Sequence, residues 1–257
     1  MTKGNKTAIV TGGLSGMGLA IARRLANDGT TVIVGARGAG DAAHVRDSLG
    51  ADHGRIHAAA LDVRSSESVD AFVADVAATH GGVDILVNAA GVYEESPVID
   101  HPDRIWEDHI DTNLTGTFRM IRAVMPHMKR ARWGRIVNIA SVAAHNGMAN
   151  NAAYCASKAG LLGLGRCVSL EGAALGITCV SISPTWVETE MLRRFIDADM
   201  AATGQTLEQV RAEYAKSNPQ NQLVQPAEVA ELAAFLVSDA ARALTMEDFQ
   251  INAGSLW

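Results

Sequence analysis

Cysteine, aromatic side chains and excess positive charge are all scarce in this chain, and each scarcity removes a class of protein. Cys155, Cys167 and Cys179 are the three cysteines among 257 residues. Their odd number and the lack of a Cys-x-x-Cys argue against a disulfide framework or thiolate metal site and predict a reducing, cytoplasmic setting. His101, His109 and His127 have no ligand-like companions in sequence, so no metal is expected. Lysine and arginine total 22 against 28 carboxylates, so a nucleic-acid partner, which needs clustered cations, is not expected either. The basic group Lys129, Arg130, Arg132 and Arg135 reads as a solvated helix end. No apolar run approaches the length of a membrane span, and the strand-like run after Met1–Lys6 is too short for a signal segment. Aromatic residues are 5% of the chain but hydrophobic ones 48%. The core must therefore be built from Ala, Val, Leu and Ile, which suits a parallel sheet covered by helices on both faces.

What is present is a regular alternation. Apolar runs of strand length occur at Thr7–Thr11, Thr31–Gly35, Arg55–Leu61, Val83–Asn88, Gly134–Ala140 and Ile177–Ser183, with a last one near Phe249–Asn252. Helix-like segments separate them. Gly16–Asn27 carries an apolar stripe of Leu19, Ala22 and Ala26 and stops at Gly29; Ser65–Thr79 opens on a Ser-Ser-Glu-Ser cap and ends in His-Gly-Gly. Strands joined by helices predict right-handed βαβ units in one doubly wound α/β domain spanning 1–257. From Pro184 to about Gln225 the strand signal stops and polar helix formers run around Glu188–Met200 and Leu207–Ala215. An excursion after a strand's carboxyl end sits where such sheets bind ligands, so residues 185–225 are expected to form a mobile substrate lid.

Two motifs carry chemistry. Ala8-Ile-Val-Thr-Gly-Gly-Leu-Ser-Gly-Met-Gly18 is a strand, a glycine turn and a helix start. Gly12 and Gly16 allow backbone conformations that a Cβ forbids, Gly18 allows close helix–strand packing, and the helix N-terminal amides face a dinucleotide pyrophosphate. Tyr154-Cys-Ala-Ser-Lys158 places a phenol and an ammonium one helical turn apart. A phenol titrates near 10; lowering that by about three units takes roughly 4 kcal/mol, the order that an ammonium about 4 Å away supplies. Ser141 ends the apolar strand at the sheet's carboxyl edge, where its hydroxyl can hold a substrate oxygen while Tyr154 moves the proton. A cap or turn role is the alternative for Ser141.

Taken together these residues resemble the short-chain dehydrogenase/reductase family over essentially the whole chain. The resemblance implies a Rossmann-like fold and hydride transfer between a nicotinamide and a small alcohol or ketone. Thr11–Gly18 looks like its cofactor turn, implying contacts from Gly12, Ser15, Gly16, Met17 and Gly18. Asn88-Ala89-Ala90-Gly91 looks like its fourth-strand motif, and Asp62-Val63 like its adenine-flanking pair. Asn113, Ser141, Tyr154 and Lys158 match its catalytic tetrad, in which Asn113 kinks a helix and positions a water beside Lys158. Val187 and Thr189 match positions that hold the nicotinamide carboxamide. Two positions depart from the pattern: Pro184-Thr185 stands where Pro-Gly is usual, and Asn252-Ala-Gly254 where Asp-Gly-Gly is usual.

No carboxylate stands at the tip of the second strand, and Arg37 follows it, which predicts NADP rather than NAD; a merely solvated Arg37 is the alternative. Tyr93, His145, Asn151, Trp186 and Met191, with Ser141, are the candidate substrate contacts. Loop or lid packing is the alternative for His145 and Trp186. Trp257, at the chain end, is expected to dock on its own or a neighbouring subunit. The helices beginning near Asn113 and Ala152, with Leu161, Leu162 and Leu164, match the family's dimer face and imply a homodimer or homotetramer; packing on the sheet is the alternative. Competing readings are an epimerase or dehydratase, whose members usually carry a larger C-terminal domain, and a catalytically silent cofactor-sensing protein.

Overall fold

The computed structural model describes residues 6–41, 45, 48 and 54–255. Trp257 and residues 1–5 lie outside them. A seven-stranded, wholly parallel sheet organises the described residues, in the order β3-β2-β1-β4-β5-β6-β7. The strands are β1 (Thr7–Thr11), β2 (Thr31–Ala36), β3 (Ile56–Ala60), β4 (Ile85–Asn88), β5 (Gly134–Ile139), β6 (Ile177–Pro184) and β7 (Asp248–Ile251). Every strand read from the sequence is present, with ends shifted by at most two residues. The order reverses between β1 and β4, which opens a crevice at their carboxyl ends.

Alternation along the strands decides which face each side chain covers. Ala8, Val10, Val32 and Val34 join a cluster with Ile21 and Leu25 of α1 (Gly16–Asn27) and Val229 and Ala233 of α8 (Pro226–Leu236). Ile9, Ile33 and Ile136 face the other way. They pack among Phe72 and Val76 of α2 (Ser66–His80), Met120 and Val124 of α4 (Gly116–Ala131) and Val168 of α5 (Ala152–Gly172). Each fully buried side chain of this kind contributes about 1.5–3 kcal/mol, so the sheet is held from both sides.

The caps follow the sequence. The Ser65 hydroxyl accepts from Ser68 N at 3.1 Å, and Gly81 closes α2 at φ +81°. Two features add detail to what the sequence implied. Between α3 (Asp103–His109) and α4 the helix widens into a π segment, Ile110–Thr115, which contains Asn113; such segments recur at functional sites. After β6, α6 (Glu190–Thr203) and α7 (Leu207–Lys216) enclose a small core of Leu192, Ile196, Val210 and Leu223. The two ends of this segment meet in an isolated parallel bridge between Val187 and Val224.

A methyl group on Gly18 would lie 2.5 Å from the Gly12 carbonyl oxygen. Gly18→Ala is therefore expected to lower stability by about 1–3 kcal/mol, read from a urea unfolding curve; an unchanged midpoint would refute the close packing.

Candidate active site

Two clefts meet at the carboxyl edge of the sheet. The first is built by the glycine turn. Gly12 has φ +66° and Gly16 φ +51°; a Cβ on Gly12 would sit 2.9 Å from Ala90 Cα. Ser15 makes no side-chain cap on α1, so its first-turn amides face the cleft without a side-chain acceptor. Thr11 Oγ1 accepts from the amides of Ala89 and Ala90 at 3.1 and 3.0 Å, which clamps the end of β4 against the turn. Asn88 is buried and donates to Asn138 Oδ1 at 2.9 Å. Gly12, Ser15, Arg37, Asp62, Val63 and Gly91 all line this cleft. Asp62 is held by a fork from Arg64 at 3.0 and 2.8 Å, and that guanidinium keeps its carboxyl below the usual carboxylate range. Arg37 is exposed at the start of a short 3₁₀ turn. The donors, the bare helix end and the glycine cradle fit a dinucleotide.

The second cleft is a cavity of about 120 Å³. Its lining includes Ser141 and Tyr154, Pro184, Val187 and Thr189, and Tyr93, Trp186, Met191 and Phe195. The two clefts adjoin where a Cβ on Gly16 would come within 3.3 Å of the Thr189 methyl; Met17 also lines the cavity.

The Ser141 hydroxyl and the Tyr154 phenol line the same cavity, and Ser141 Oγ accepts from Ala143 N at 3.1 Å. The cap reading is thus realised, and the same residue lines the cavity. Lys158 is 6% exposed, and its Nζ donates to Ile139 O at 2.8 Å and lies 5.7 Å from the Tyr154 ring centre. The Asn113 side chain is taken up by Val92 N (2.8 Å), Val92 O (3.1 Å) and Ser157 Oγ (3.1 Å). Ser157 in turn donates to Tyr154 O at 2.8 Å. Asn113 therefore ties the Gly91 loop to the tyrosine helix.

The charges differ from expectation. The sequence predicted a phenol made acidic by Lys158. Instead burial raises the Tyr154 pKa above 10, opposed only in part by the Ser141 hydroxyl. Burial also lowers Lys158 from 10.5 to about 8. Both groups lose water on entering the fold, and removing solvent penalises whichever form carries charge.

The other candidates separate. His145 bonds to Asp248 at 2.6 Å and lines a different depression, beside Arg166 and Glu247. Asn151 is buried, donating to Ala149 O at 2.7 Å, and does not line the cavity. Leu161 and Leu164 pack into the protein's own interior. Sequence reasoning missed Phe195 and Tyr214, which extend an edge-to-face chain of rings. Tyr154 meets Tyr93 at 4.7 Å, Tyr93 meets Phe195 at 4.8 Å, and Trp186 meets Phe195 at 6.2 Å and Tyr214 at 4.9 Å. It also missed His109, which is buried with both ring nitrogens engaged, by Ile105 O at 2.7 Å and Glu94 N at 3.1 Å. The only hint in the sequence was that aromatics so scarce must be placed for a purpose.

Comparison with known proteins agrees with this geometry. The family model described as short chain dehydrogenase matches residues 6–200. D-beta-hydroxybutyrate dehydrogenase of Cupriavidus necator is 36% identical over 238 residues, 92% of each chain. A 3-oxoacyl-acyl-carrier-protein reductase of Vibrio cholerae is 37% identical over 249 residues, 97% of this chain and 96% of that one. The crystal structure of a variant actinorhodin polyketide ketoreductase with NADPH superposes with a TM-score of 0.92 at 36% identity, covering 98% of both chains. With a family match over most of its length and full-length relatives of this kind, the chain belongs to the short-chain dehydrogenase/reductase family and is an oxidoreductase of the Rossmann-like fold.

Proposed function

We propose that the chain is an NADPH-dependent reductase of a small ketone, working reversibly on the corresponding secondary alcohol, with Tyr154 as the general acid. The observation that carries this reading is the cavity that brings the Ser141 hydroxyl and the Tyr154 phenol together, one helical turn from a buried lysine and beside the glycine turn. A bound nicotinamide supplies the hydride. Gly12, Ser15, Gly16, Met17 and Gly18 would hold its pyrophosphate on the amides of α1, Asp62 and Val63 would flank the adenine, and Asn88, Ala89 and Gly91 would border the ribose side. Pro184, Val187 and Thr189 would hold the nicotinamide end.

Ser141 orients the carbonyl oxygen, and the Tyr154 hydroxyl gives that oxygen its proton as the carbon accepts hydride. The phenolate left behind is compensated by Lys158, while Asn113 holds the Gly91 loop and the tyrosine helix in register. A phenol whose pKa is raised stays protonated near neutral pH, which is the form a reductase needs. Arg37, free of any carboxylate on its strand tip, supports a 2′-phosphate and hence NADP; NAD is the alternative. Residues 185–225 act as the lid of a one-domain chain. The free cysteines Cys155, Cys167 and Cys179 suit a reducing, cytoplasmic setting. Exposed Phe118 on α4 and Leu170 on α5 favour a homodimer or homotetramer.

Three measurements test this reading. Tyr154→Phe should lower kcat for ketone reduction by about 10²–10⁴-fold while NADPH still binds in a fluorescence titration; retained turnover would remove Tyr154 from the mechanism. Arg37→Asp should raise KM for NADPH by roughly 10- to 100-fold, the value of a charge-assisted hydrogen bond, and leave KM for NADH unchanged or lower. Equal losses for both cofactors would refute a 2′-phosphate contact.

The third concerns Lys158. Its depressed pKa means that the unfolded chain binds more protons between pH 8 and 10.5, so this group adds stability as pH rises through that window. Below pH 8 the buried cation costs up to roughly 3 kcal/mol. Lys158→Met should therefore be more stable at pH 7 by about 1–2 kcal/mol, once the lost bond to Ile139 is counted, yet inactive. The gain should vanish above pH 10.5 in denaturation curves; a gain independent of pH would contradict the buried charge.

A further inference from the structure

The composition of the cavity wall restricts what the substrate can carry. Resting on the proposed reductase reading, we infer that the substrate is an uncharged ketone with an apolar body, such as an ester or a cyclic or aryl ketone. Free 3-oxo acids and polyols are excluded.

Beyond Ser141 and Tyr154, the wall is made of Met17, Met148, Leu192, Phe195, Trp186 and similar apolar groups, with no Lys, Arg or His among its lining residues. Apart from the Trp186 indole N–H, its other polar side chains already spend their donors within the protein. Tyr93 OH donates to Glu95 at 2.7 Å, Thr185 Oγ1 to Asn218 Oδ1 at 3.0 Å, and Thr189 Oγ1 to Val187 O at 3.3 Å. A polyol entering the cavity would find few donors beyond Ser141, Tyr154 and the Trp186 indole, so most of its hydroxyls would lose water without full replacement.

The cations on the segments that flank the lining residues are engaged too. Arg104 holds Glu94 at 2.8 Å, Arg193 holds Asp197 at 2.8 Å, Arg194 holds Glu190 at 3.2 Å, and Arg211 forks onto Glu188 at 2.7 and 2.8 Å. Two further carboxylates are anchored on the tyrosines of the aromatic chain, Glu95 on Tyr93 and Asp199 on Tyr214, the latter at 2.7 Å. These flanking segments thus carry more carboxylates than arginines, and each of those arginines is paired. A substrate carboxylate would be desolvated without a partner and repelled at the entrance. An apolar group instead meets the rings of Tyr93, Trp186 and Phe195, and aromatic substrate rings gain edge-to-face or offset contacts there.

A matched pair of substrates isolates the charge. With NADPH held saturating, kcat/KM is measured for ethyl acetoacetate and for acetoacetate, alongside 4-phenyl-2-butanone. The ester is expected to exceed the acid by at least about a hundredfold, with the phenyl ketone on the ester's side. Met191 lines the cavity from the exposed face of α6, so Met191→Lys adds a cation with little risk to folding. That variant should raise the acid-to-ester ratio by at least about tenfold. Acetoacetate turned over as well as its ester by the wild type would overturn the inference and leave the reductase reading standing. NADPH binding with no reduction of any of the three ketones would overturn the reductase reading and this inference with it.

Discussion

A lysine ammonium kept inside the protein is the constraint around which the site is arranged. Lys158 is nearly without solvent, and Ile139 O supplies its hydrogen bond from the end of β5. A cation in that position is costly, so a fold that keeps it needs its neighbours fixed. Lys158 and Tyr154 share one face of α5, which sets their separation without any loop. The π segment before α4 brings the Asn113 side chain onto both polar atoms of Val92 and onto Ser157. The loop after β4 and the helix carrying the tyrosine are therefore locked together. Gly91 belongs to the same arrangement, since a Cβ there would sit 3.3 Å from Asn113 Oδ1 and 3.8 Å from Lys158 Nζ.

Much of this was legible in the sequence because it is local. Strand alternation, the cap at Ser65, the stop at Gly81 and the helical spacing of Tyr154 and Lys158 all depend on neighbours within a few residues. The glycine turn is local as well, and its position after the first strand fixed the crevice once the sheet was known to be parallel. Ser141 could be placed at the carboxyl edge for the same reason, as the residue that ends an apolar strand.

What stayed hidden depends on contacts between distant segments. Phe195 and Tyr214 look like ordinary helix residues until the 185–225 segment folds back and sets them against Trp186, some ten to thirty positions away. Met148 and Tyr93 approach the same cavity from two other loops. His145 has the converse history: its place between Ser141 and Tyr154 suggests the cavity, yet Asp248 of β7 draws it to the opposite side. The direction of the pKa shifts was hidden too. Spacing along a helix shows that an ammonium is near a phenol, but only burial tells whether attraction or desolvation prevails, and here desolvation leads for both.

Chemistry and selectivity thus occupy different parts of the chain. The proposed proton-transfer residues stand on the sheet edge and α5, which the whole interior holds in place. The upper wall of the cavity belongs largely to one excursion, fastened by the Val187–Val224 bridge and by the Arg211 fork, which holds the Glu188 carboxyl down at about 2. Val187 itself lines the cavity, whereas Val224 and the Arg211–Glu188 pair lie outside its lining. Residues such as Met191 and Phe195 can then change without loosening either the sheet or the attachment of the excursion. Relatives about 36–37% identical along nearly the whole chain carry names that specify different substrates, which is what such a division allows: a shared scaffold keeps the reaction class while the wall residues are free to vary.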